Sequence, residues 1–210
     1  MESMAKVLLI NGSPHEKGCT YTALREVADT LEKNGVETEL FQIGARPVAG
    51  CIACGKCAQE GKCIFDDGVN AVLEQLDSYD GLVVGSPVYY AGPSGQICAF
   101  LDRLFYASKG RMAGKVAAAV VSCRRGGASA AYDRLNKYFS ISNMVIATSQ
   151  YWNQVHGNRP EEVLQDAEGL QTMRTLGQNL AWLIKCIEGG KKQGIALPTY
   201  EPKQGTNFIR

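Results

Sequence analysis

The stretch KVLLINGSPHEKGCT, residues 6–20, decides the fold that this chain is expected to adopt. Its first six residues are almost continuously apolar, which is typical of a parallel strand covered on both faces. Beyond the loop that follows, apolar residues recur at helical spacing, at Leu24, Val27, Ala28 and Leu31. The stretch therefore predicts a strand, a loop and a helix in direct succession.

The loop of residues 12–20 predicts a phosphate site. Backbone N–H groups at a helix N-terminus, together with the helix dipole, favour a bound phosphate. Ser13, Cys19 and Thr20 add short side chains that can face it. The glycine spacing matches neither a Walker A loop nor a dinucleotide fingerprint, which favours a monophosphate. A plain strand-to-helix turn is the alternative interpretation.

Strand and helix patterns alternate along the rest of the chain. Further strands are predicted at residues 36–43, 81–86, 115–122 and 144–148. Helices are predicted after residues 66–67, around residues 97–105, at 128–139 and at 161–188, where Gly189 and Gly190 end the last one. Five strands, each followed by a helix, predict one parallel sheet with right-handed crossovers. We therefore expect one α/β domain over residues 1–190, with a cysteine-rich insertion at residues 50–66 and an extended tail at residues 191–210.

Composition excludes several classes of partner. The 210 residues carry a net charge of +1, so no basic surface is available for nucleic acid or for a membrane. No apolar stretch approaches the roughly 20 residues that span a bilayer, and the early apolar run is too short for a signal peptide. We therefore expect a cytoplasmic protein. In that compartment the eight cysteines are expected to be thiols, metal ligands or redox groups rather than structural disulfides.

Two later loops follow strand ends at the same expected edge of the sheet. The segment SPVYYAGP, residues 86–93, places proline, aromatic and glycine residues after the third predicted strand. That composition suits a flat apolar wall for a planar heteroaromatic ring. The segment SCRRGG, residues 122–127, follows the fourth strand and can approach the polar edge of the same ring. Ligands of such sheets bind beyond the carboxyl ends of the strands, so three loops in a row predict one site.

Four cysteines lie within thirteen residues, in the pattern Cys51-x2-Cys54-x2-Cys57-x5-Cys63. Thiolates this compact can surround one cuboidal iron–sulfur cluster, in which each iron takes one cysteine. Interleaved glycines permit the tight turns that such wrapping requires. A single zinc also takes four cysteines, but usually from two pairs with a longer spacer. Zinc, reactive thiols and a disulfide therefore remain as alternatives.

These motifs resemble a known family. GSP at residues 12–14 with Thr20, SPVY at residues 86–89 and FLDR at residues 100–103 are similar to the flavodoxin-like NAD(P)H-dependent FMN reductases. The cysteine pattern and the aspartates at 66–67 resemble the iron–sulfur flavoprotein branch, which ligates a [4Fe–4S] cluster. The resemblance implies a three-layer sandwich with a five-stranded parallel sheet of order 2-1-3-4-5. It runs to the tail at residues 206–210 and implies homodimers or homotetramers, in which the tail and residues 151–152 are candidate interface segments.

The resemblance also implies where FMN binds: the first loop holds its phosphate and the two later loops flank its isoalloxazine ring. The residues expected at this site are Ser13, His15, Gly18, Cys19, Thr20, Ser86, Pro87, Val88, Tyr89, Tyr90, Ser122, Arg124, Gly126 and Gly127. The expected cluster ligands are Cys51, Cys54, Cys57 and Cys63. Many relatives have a basic residue at the position of His15 and asparagine at that of Cys19, so phosphate binding here is expected to depend more on backbone donors.

The expected function is electron transfer between a reduced donor and an acceptor through FMN and a [4Fe–4S] cluster. The expected donor is a ferredoxin-like protein or NAD(P)H, and the acceptor a small molecule. One alternative is a cluster-free NAD(P)H-dependent FMN or quinone reductase, and another is a thiol- or zinc-based redox sensor. No residue is assigned as catalytic, although His156 is a candidate proton donor and Arg124 could stabilise a reduced, anionic flavin.

Overall fold

The structure is a computed structural model that describes residues 4–202 and 204–206. Its strands are β1 Lys6–Asn11, β2 Glu37–Gln42, β3 Gly81–Tyr89, β4 Gly92–Pro93, β5 Val116–Cys123, β6 Val145–Ile146 and β7 Gln154–His156. Its α-helices are α1 Cys19–Lys33, α2 Cys57–Glu60, α3 Gly68–Gln75, α4 Gly95–Ala107, α5 Ala128–Ile141, α6 Pro160–Val163 and α7 Ala167–Lys192. A 3₁₀ turn at Leu76–Ser78 follows α3.

The main sheet is parallel and has the order β2-β1-β3-β5-β6. The short strand β4 folds back antiparallel on the end of β3, and β7 pairs in parallel with the end of β5. The predicted order is confirmed. The sheet has seven strands in the described part of the chain, rather than the five predicted, because β4 is an added hairpin arm and the fifth position is shared by two short strands.

Two short strands share the fifth position of the sheet, because the chain leaves the sheet after the two residues of β6. Strand β6 covers only the start of β5, and β7 covers its end. Asn153 is buried and bridges the interval: its side-chain Nδ2 donates to the carbonyl of Ala119 at 3.0 Å, and its backbone carbonyl accepts from Val121 N at 3.0 Å. The predicted strand at residues 144–148 is therefore wrong in length, since an amide side chain replaces part of the strand pairing.

Helices cover both faces of the sheet, which gives three layers. Val7 and Leu9 point to one face, where α1 and α7 pack. Leu8 and Ile10 point to the other, where α3, α4 and α5 pack. All four side chains are essentially inaccessible to solvent. The apolar run in β1 is continuous because both faces of this strand are buried.

The predicted helix at residues 161–188 is two helices. Helix α6 is one turn long, and α7 begins after Asp166, whose Oδ1 accepts from Gly169 N at 2.9 Å and caps the new N-terminus. Helix α7 then continues through the two predicted stop glycines to Lys192. Residues 191 and 192, which were expected in the tail, belong to α7, and residues 195–202 form no helix or strand. Residues 203 and 207–210 of the predicted tail lie outside the described residues.

Candidate functional site

Three loops at the carboxyl ends of neighbouring parallel strands converge on one open cleft. The walls come from residues 13–20 after β1, residues 87–89 in β3 and residues 122–124 at the end of β5. A fourth wall, residues 157–160, follows β7 and was not predicted. The cleft has a volume of about 740 Å³, which is within the range of small-molecule and cofactor sites.

The first wall leaves a helix N-terminus open toward the cleft. Gly18 stands at the N-cap of α1 and makes no side-chain cap, so the N–H groups of the first helical turn remain available to a ligand. The loop before it is closed internally: the N–H of His15 donates to Ser13 Oγ at 3.1 Å, and the N–H of Gly18 donates to the His15 carbonyl at 3.4 Å. An anion at this position would meet mainly backbone donors.

Two amides outside the cleft wall hold this loop in shape. Asn11 is fully buried, and its Nδ2 donates to Gln42 Oε1 at 2.6 Å and to the carbonyl of Glu16 at 3.3 Å. Gln42 Nε2 donates in turn to the carbonyl of Ser13 at 2.7 Å. These bonds hold the carbonyls of Ser13 and Glu16 against the two amides. Sequence inspection missed both residues, although a polar residue ending each of two adjacent strands was the available signal.

The first and third walls are joined directly. Thr20 Oγ1 and Ser122 Oγ lie 2.8 Å apart, and both side chains are almost fully buried. The Thr20 hydroxyl, expected to face a phosphate, therefore also has a partner within the protein. Because the pair spans α1 and β5, a hydrogen bond within the protein holds these two walls together.

The second wall ends in a tight hairpin. Pro87, Val88 and Tyr89 line the cleft, and β3 then reverses into β4 through Tyr90 and Ala91, whose φ values are 50° and 60°. Left-handed conformations cost a non-glycine residue roughly 1–3 kcal/mol each, and such strain is concentrated at functional sites. The side chain of Tyr90 is fully exposed at the rim rather than in the wall.

Several predicted contact residues stand behind the walls. The Ser86 hydroxyl is buried, donates to the carbonyl of Pro87 at 2.8 Å and accepts from Ser94 N at 2.9 Å. Gly127 is the N-cap of α5 with a φ of 87°, and Gly126 precedes it; neither lines the cleft. These positions shape the loops, while Arg124 reaches the cleft itself.

The unpredicted fourth wall contacts the first. Cys19 Sγ lies 3.6 Å from the carbonyl of Gly157, and burial raises the pKa of the Cys19 thiol, with the nearby carboxylates of Glu161 and Glu162 adding to the effect. His156, the candidate proton donor, precedes this wall but does not line the cleft. The backbone N–H of His156 donates to Asp166 Oδ2 at 2.7 Å, and its ring Nδ1 lies 3.6 Å from the same oxygen.

The four clustered cysteines meet at a second, smaller hollow, whose other lining side chains are mostly apolar and include Ile52, Ile64 and Phe65. All eight cysteines are free thiols. Within the described part of the chain, no three Cys, His, Asp or Glu side chains lie close enough together to hold one metal ion. The thiols thus surround a common space rather than a common point.

A buried amide fastens the second half of the cysteine segment. Asn70 in α3 accepts from Cys63 N at 2.8 Å and donates to the carbonyls of Cys63 at 3.0 Å and Phe65 at 3.1 Å. The first half, by contrast, is exposed from residue 51 through residue 56. The segment therefore has one fixed arm and one exposed arm.

Among residues 4–202 and 204–206, no helix is long and apolar enough to cross a membrane.

The fold and cleft define a class, the flavodoxin-like α/β proteins. A WrbA-like flavodoxin from Agrobacterium tumefaciens superposes with a TM-score of 0.61 at 17% identity, covering 88% of this chain and 99% of that one. RosB, solved with 8-demethyl-8-formylriboflavin-5′-phosphate, superposes with a TM-score of 0.69 at 15% identity, covering 98% and 94%. At these identities the likeness establishes the fold.

The chain belongs to the NADPH-dependent FMN reductase family, whose model matches residues 5–158, and within it to the iron–sulfur flavoproteins. An iron–sulfur flavoprotein of Methanocaldococcus jannaschii is 32% identical over 193 residues, which cover 87% of this chain and 99% of that relative. The protein is therefore an FMN-dependent redox protein and a flavin-dependent oxidoreductase. The predicted family and enzyme class are confirmed.

Proposed function

We propose that this flavoprotein transfers electrons between a reduced donor and a small-molecule acceptor through FMN in the cleft and a [4Fe–4S] cluster held by Cys51, Cys54, Cys57 and Cys63. The observation that carries the proposal is the convergence of all four cysteines on one hollow in an FMN-dependent redox protein. FMN supplies the ability to exchange one or two electrons, whereas the protein supplies binding, orientation and electrostatics.

The cleft accounts for FMN binding through groups of distinct type. The open N-terminus of α1 supplies backbone N–H donors and a positive dipole end for the phosphate. Pro87, Val88 and Tyr89 form the apolar wall against which a planar ring can lie. Arg124 also lines the cleft and is permanently cationic, so it would favour a reduced, anionic ring.

The cysteine hollow suits a cluster better than a single zinc. The ligands of a zinc ion all meet at one point, whereas a cluster takes one cysteine at each of four irons and keeps its thiolates apart. The hollow itself is small, about 20 Å³. A cluster would therefore displace the exposed arm, residues 51–56, outward, while the arm fixed by Asn70 keeps Cys63 in place.

The exposure of the two sites bears on the partners. Cys51 and Cys54 are exposed, so a cluster here would lie at the surface, where a ferredoxin-like donor can approach. The FMN cleft is also open, which leaves room for NAD(P)H or a small acceptor beside the ring. A homodimer or homotetramer, with residues 151–152 and the tail as interface segments, and a cytoplasmic location are further parts of the proposal.

The test is the composition of anaerobically purified protein, measured by visible absorption, iron content and acid-labile sulfide. FMN with about four irons and four sulfides per chain supports the proposal. Cys54→Ser should lose iron and sulfide but retain FMN, whereas Cys186→Ser, which removes an exposed thiol outside the segment, should retain both. FMN without iron or sulfide would instead establish a cluster-free FMN or quinone reductase. Zinc without flavin would identify a zinc-based sensor.

A further inference from the structure

Arg103 of α4 is a buried cation beside the cysteine segment. Its side chain is only 1% exposed and is one of the largest fully buried side chains in the described part of the chain. An arginine carries five N–H donors and stays protonated, so burial requires partners on several sides. The positions of those partners show what the side chain holds together.

One partner fixes the guanidinium in orientation. Arg103 Nη1 donates to Asp67 Oδ2 at 2.7 Å and Nη2 donates to Asp67 Oδ1 at 2.8 Å, a two-point pairing of planar groups. Asp67 is itself fixed, because its Oδ1 also accepts from Val69 N at 3.1 Å and caps α3. The cation is thus held between α4 and the start of α3.

The remaining donors reach both ends of the cysteine segment. Nη1 donates to the carbonyl of Ala49 at 3.3 Å, just before the first cysteine, and Nη2 donates to the carbonyl of Phe65 at 3.3 Å, just after the last. The guanidinium also lies 4.9 Å from the centre of the Phe65 ring. One side chain therefore holds together the two ends of the loop that carries all four thiols.

The fifth donor is directed at a sulfur atom. Arg103 Nε lies 3.2 Å from Cys63 Sγ, within hydrogen-bonding distance for sulfur. A hydrogen bond and a permanent positive charge at a ligand sulfur stabilise the electron-rich form of a bound cluster more than its oxidised form. Hydrogen bonds to ligand sulfurs are among the factors that set the reduction potentials of iron–sulfur clusters.

We propose that Arg103 is a positioning residue of the cysteine site, which closes the ends of the segment and raises the reduction potential of the group bound at Cys63. The effect of Arg103 on the reduction potential rests on the proposed cluster, whereas its effect on the cysteine segment does not. Residues 101 and 104 of α4 belong to the apolar core, whereas Arg103 faces the segment, so its role differs from core packing.

The test compares Arg103→Lys with Arg111→Lys in the full-length holoprotein. Arg111 makes a similar two-point pairing with Asp77, away from the segment, so it controls for loss of an arginine–aspartate pair. Asp67→Asn is a second variant, since asparagine can still cap α3 but no longer orients the cation. The measurements are the cluster midpoint potential in a redox titration followed by electron paramagnetic resonance, and hydrogen exchange of residues 48–66.

Arg103→Lys is expected to lower the cluster potential and to speed exchange in residues 48–66, with FMN content unchanged. Asp67→Asn removes the carboxylate that orients the guanidinium, so it is expected to speed exchange in residues 48–66 as well, whereas Arg111→Lys is expected to change neither readout. If the wild-type protein holds the cluster, an unchanged potential in Arg103→Lys would overturn the tuning role. Unchanged exchange would overturn the positioning role. A wild-type protein without iron would refute the proposed cluster and the tuning role together, while the exchange data would still decide positioning.

Discussion

Thr20 and Ser122, which are 102 residues apart in the chain, share a buried hydrogen bond of 2.8 Å between their hydroxyls. The bond joins the first turn of α1 to the end of β5, so two walls of the cleft proposed to bind FMN meet at one point. Both side chains also line the cleft. A change at either residue should therefore act on the bound flavin through the spacing of the walls as well as by direct contact.

Thr20→Glu is expected to abolish FMN retention. The larger carboxylate would break the pair with Ser122 and place a negative charge where the phosphate binds. Thr22→Glu is the control, because it puts the same charge on the same helix outside the cleft wall. The flavin-to-protein absorbance ratio after gel filtration measures the effect, and equal ratios in the two variants would contradict our placement of the phosphate.

Gln42→Leu is expected to weaken FMN binding about tenfold or more. The substitution removes the bond to the Ser13 carbonyl and the acceptor for Asn11, and two lost bonds of about 1 kcal/mol each allow such a change. Titration of the FMN-free protein by flavin fluorescence gives the dissociation constant. Gln171→Leu, at an exposed position of α7, should leave it unchanged. A wild-type constant in Gln42→Leu would show that the loop keeps its shape without the amide.

Gly12→Ala is expected to destabilise the protein by about 1–3 kcal/mol, the usual cost of overpacking. An added Cβ would lie 2.7 Å from the carbonyl oxygen of Gly85 and 2.8 Å from Ile97 Cβ. The free energy of unfolding from urea denaturation measures the effect. Gly95→Ala is the matched control because its Cβ would meet nothing within 4 Å. Equal losses in both variants would show that close packing at Gly12 is unimportant.

Cys19 is expected to react slowly with iodoacetamide near neutral pH and faster as the pH rises. Burial disfavours its thiolate and raises the thiol pKa above its ordinary value of 9.0, so the reactive form increases only toward alkaline pH. FMN should protect this thiol, because Cys19 lines the cleft. Peptide mapping by mass spectrometry reports the labelling at each cysteine. Labelling of Cys19 that bound FMN does not slow would place the flavin elsewhere.

Local patterns predicted most of the fold. The apolar run of β1, the helical spacing of α1 and the alternation that follows were sufficient for one α/β domain with a parallel sheet, whereas the three layers and the strand order came from the family resemblance. The fifth strand was predicted at the wrong length, and the last helix was predicted unbroken. In both places a side chain takes over a backbone hydrogen bond. The side-chain amide of Asn153 donates to a carbonyl of β5, and the carboxylate of Asp166 caps the start of α7.

For the site, the sequence by itself determined which residue types are available: an uncapped glycine before α1, an apolar stretch after β3 and four closely spaced thiols. Only the tertiary structure decided which residues meet. Gln42 reaches the loop of Ser13 across 29 positions, and Arg103 reaches Cys63 across 40. Such pairs leave no local pattern, because parallel strands and crossover helices bring together residues whose separation in the chain is set by the topology alone.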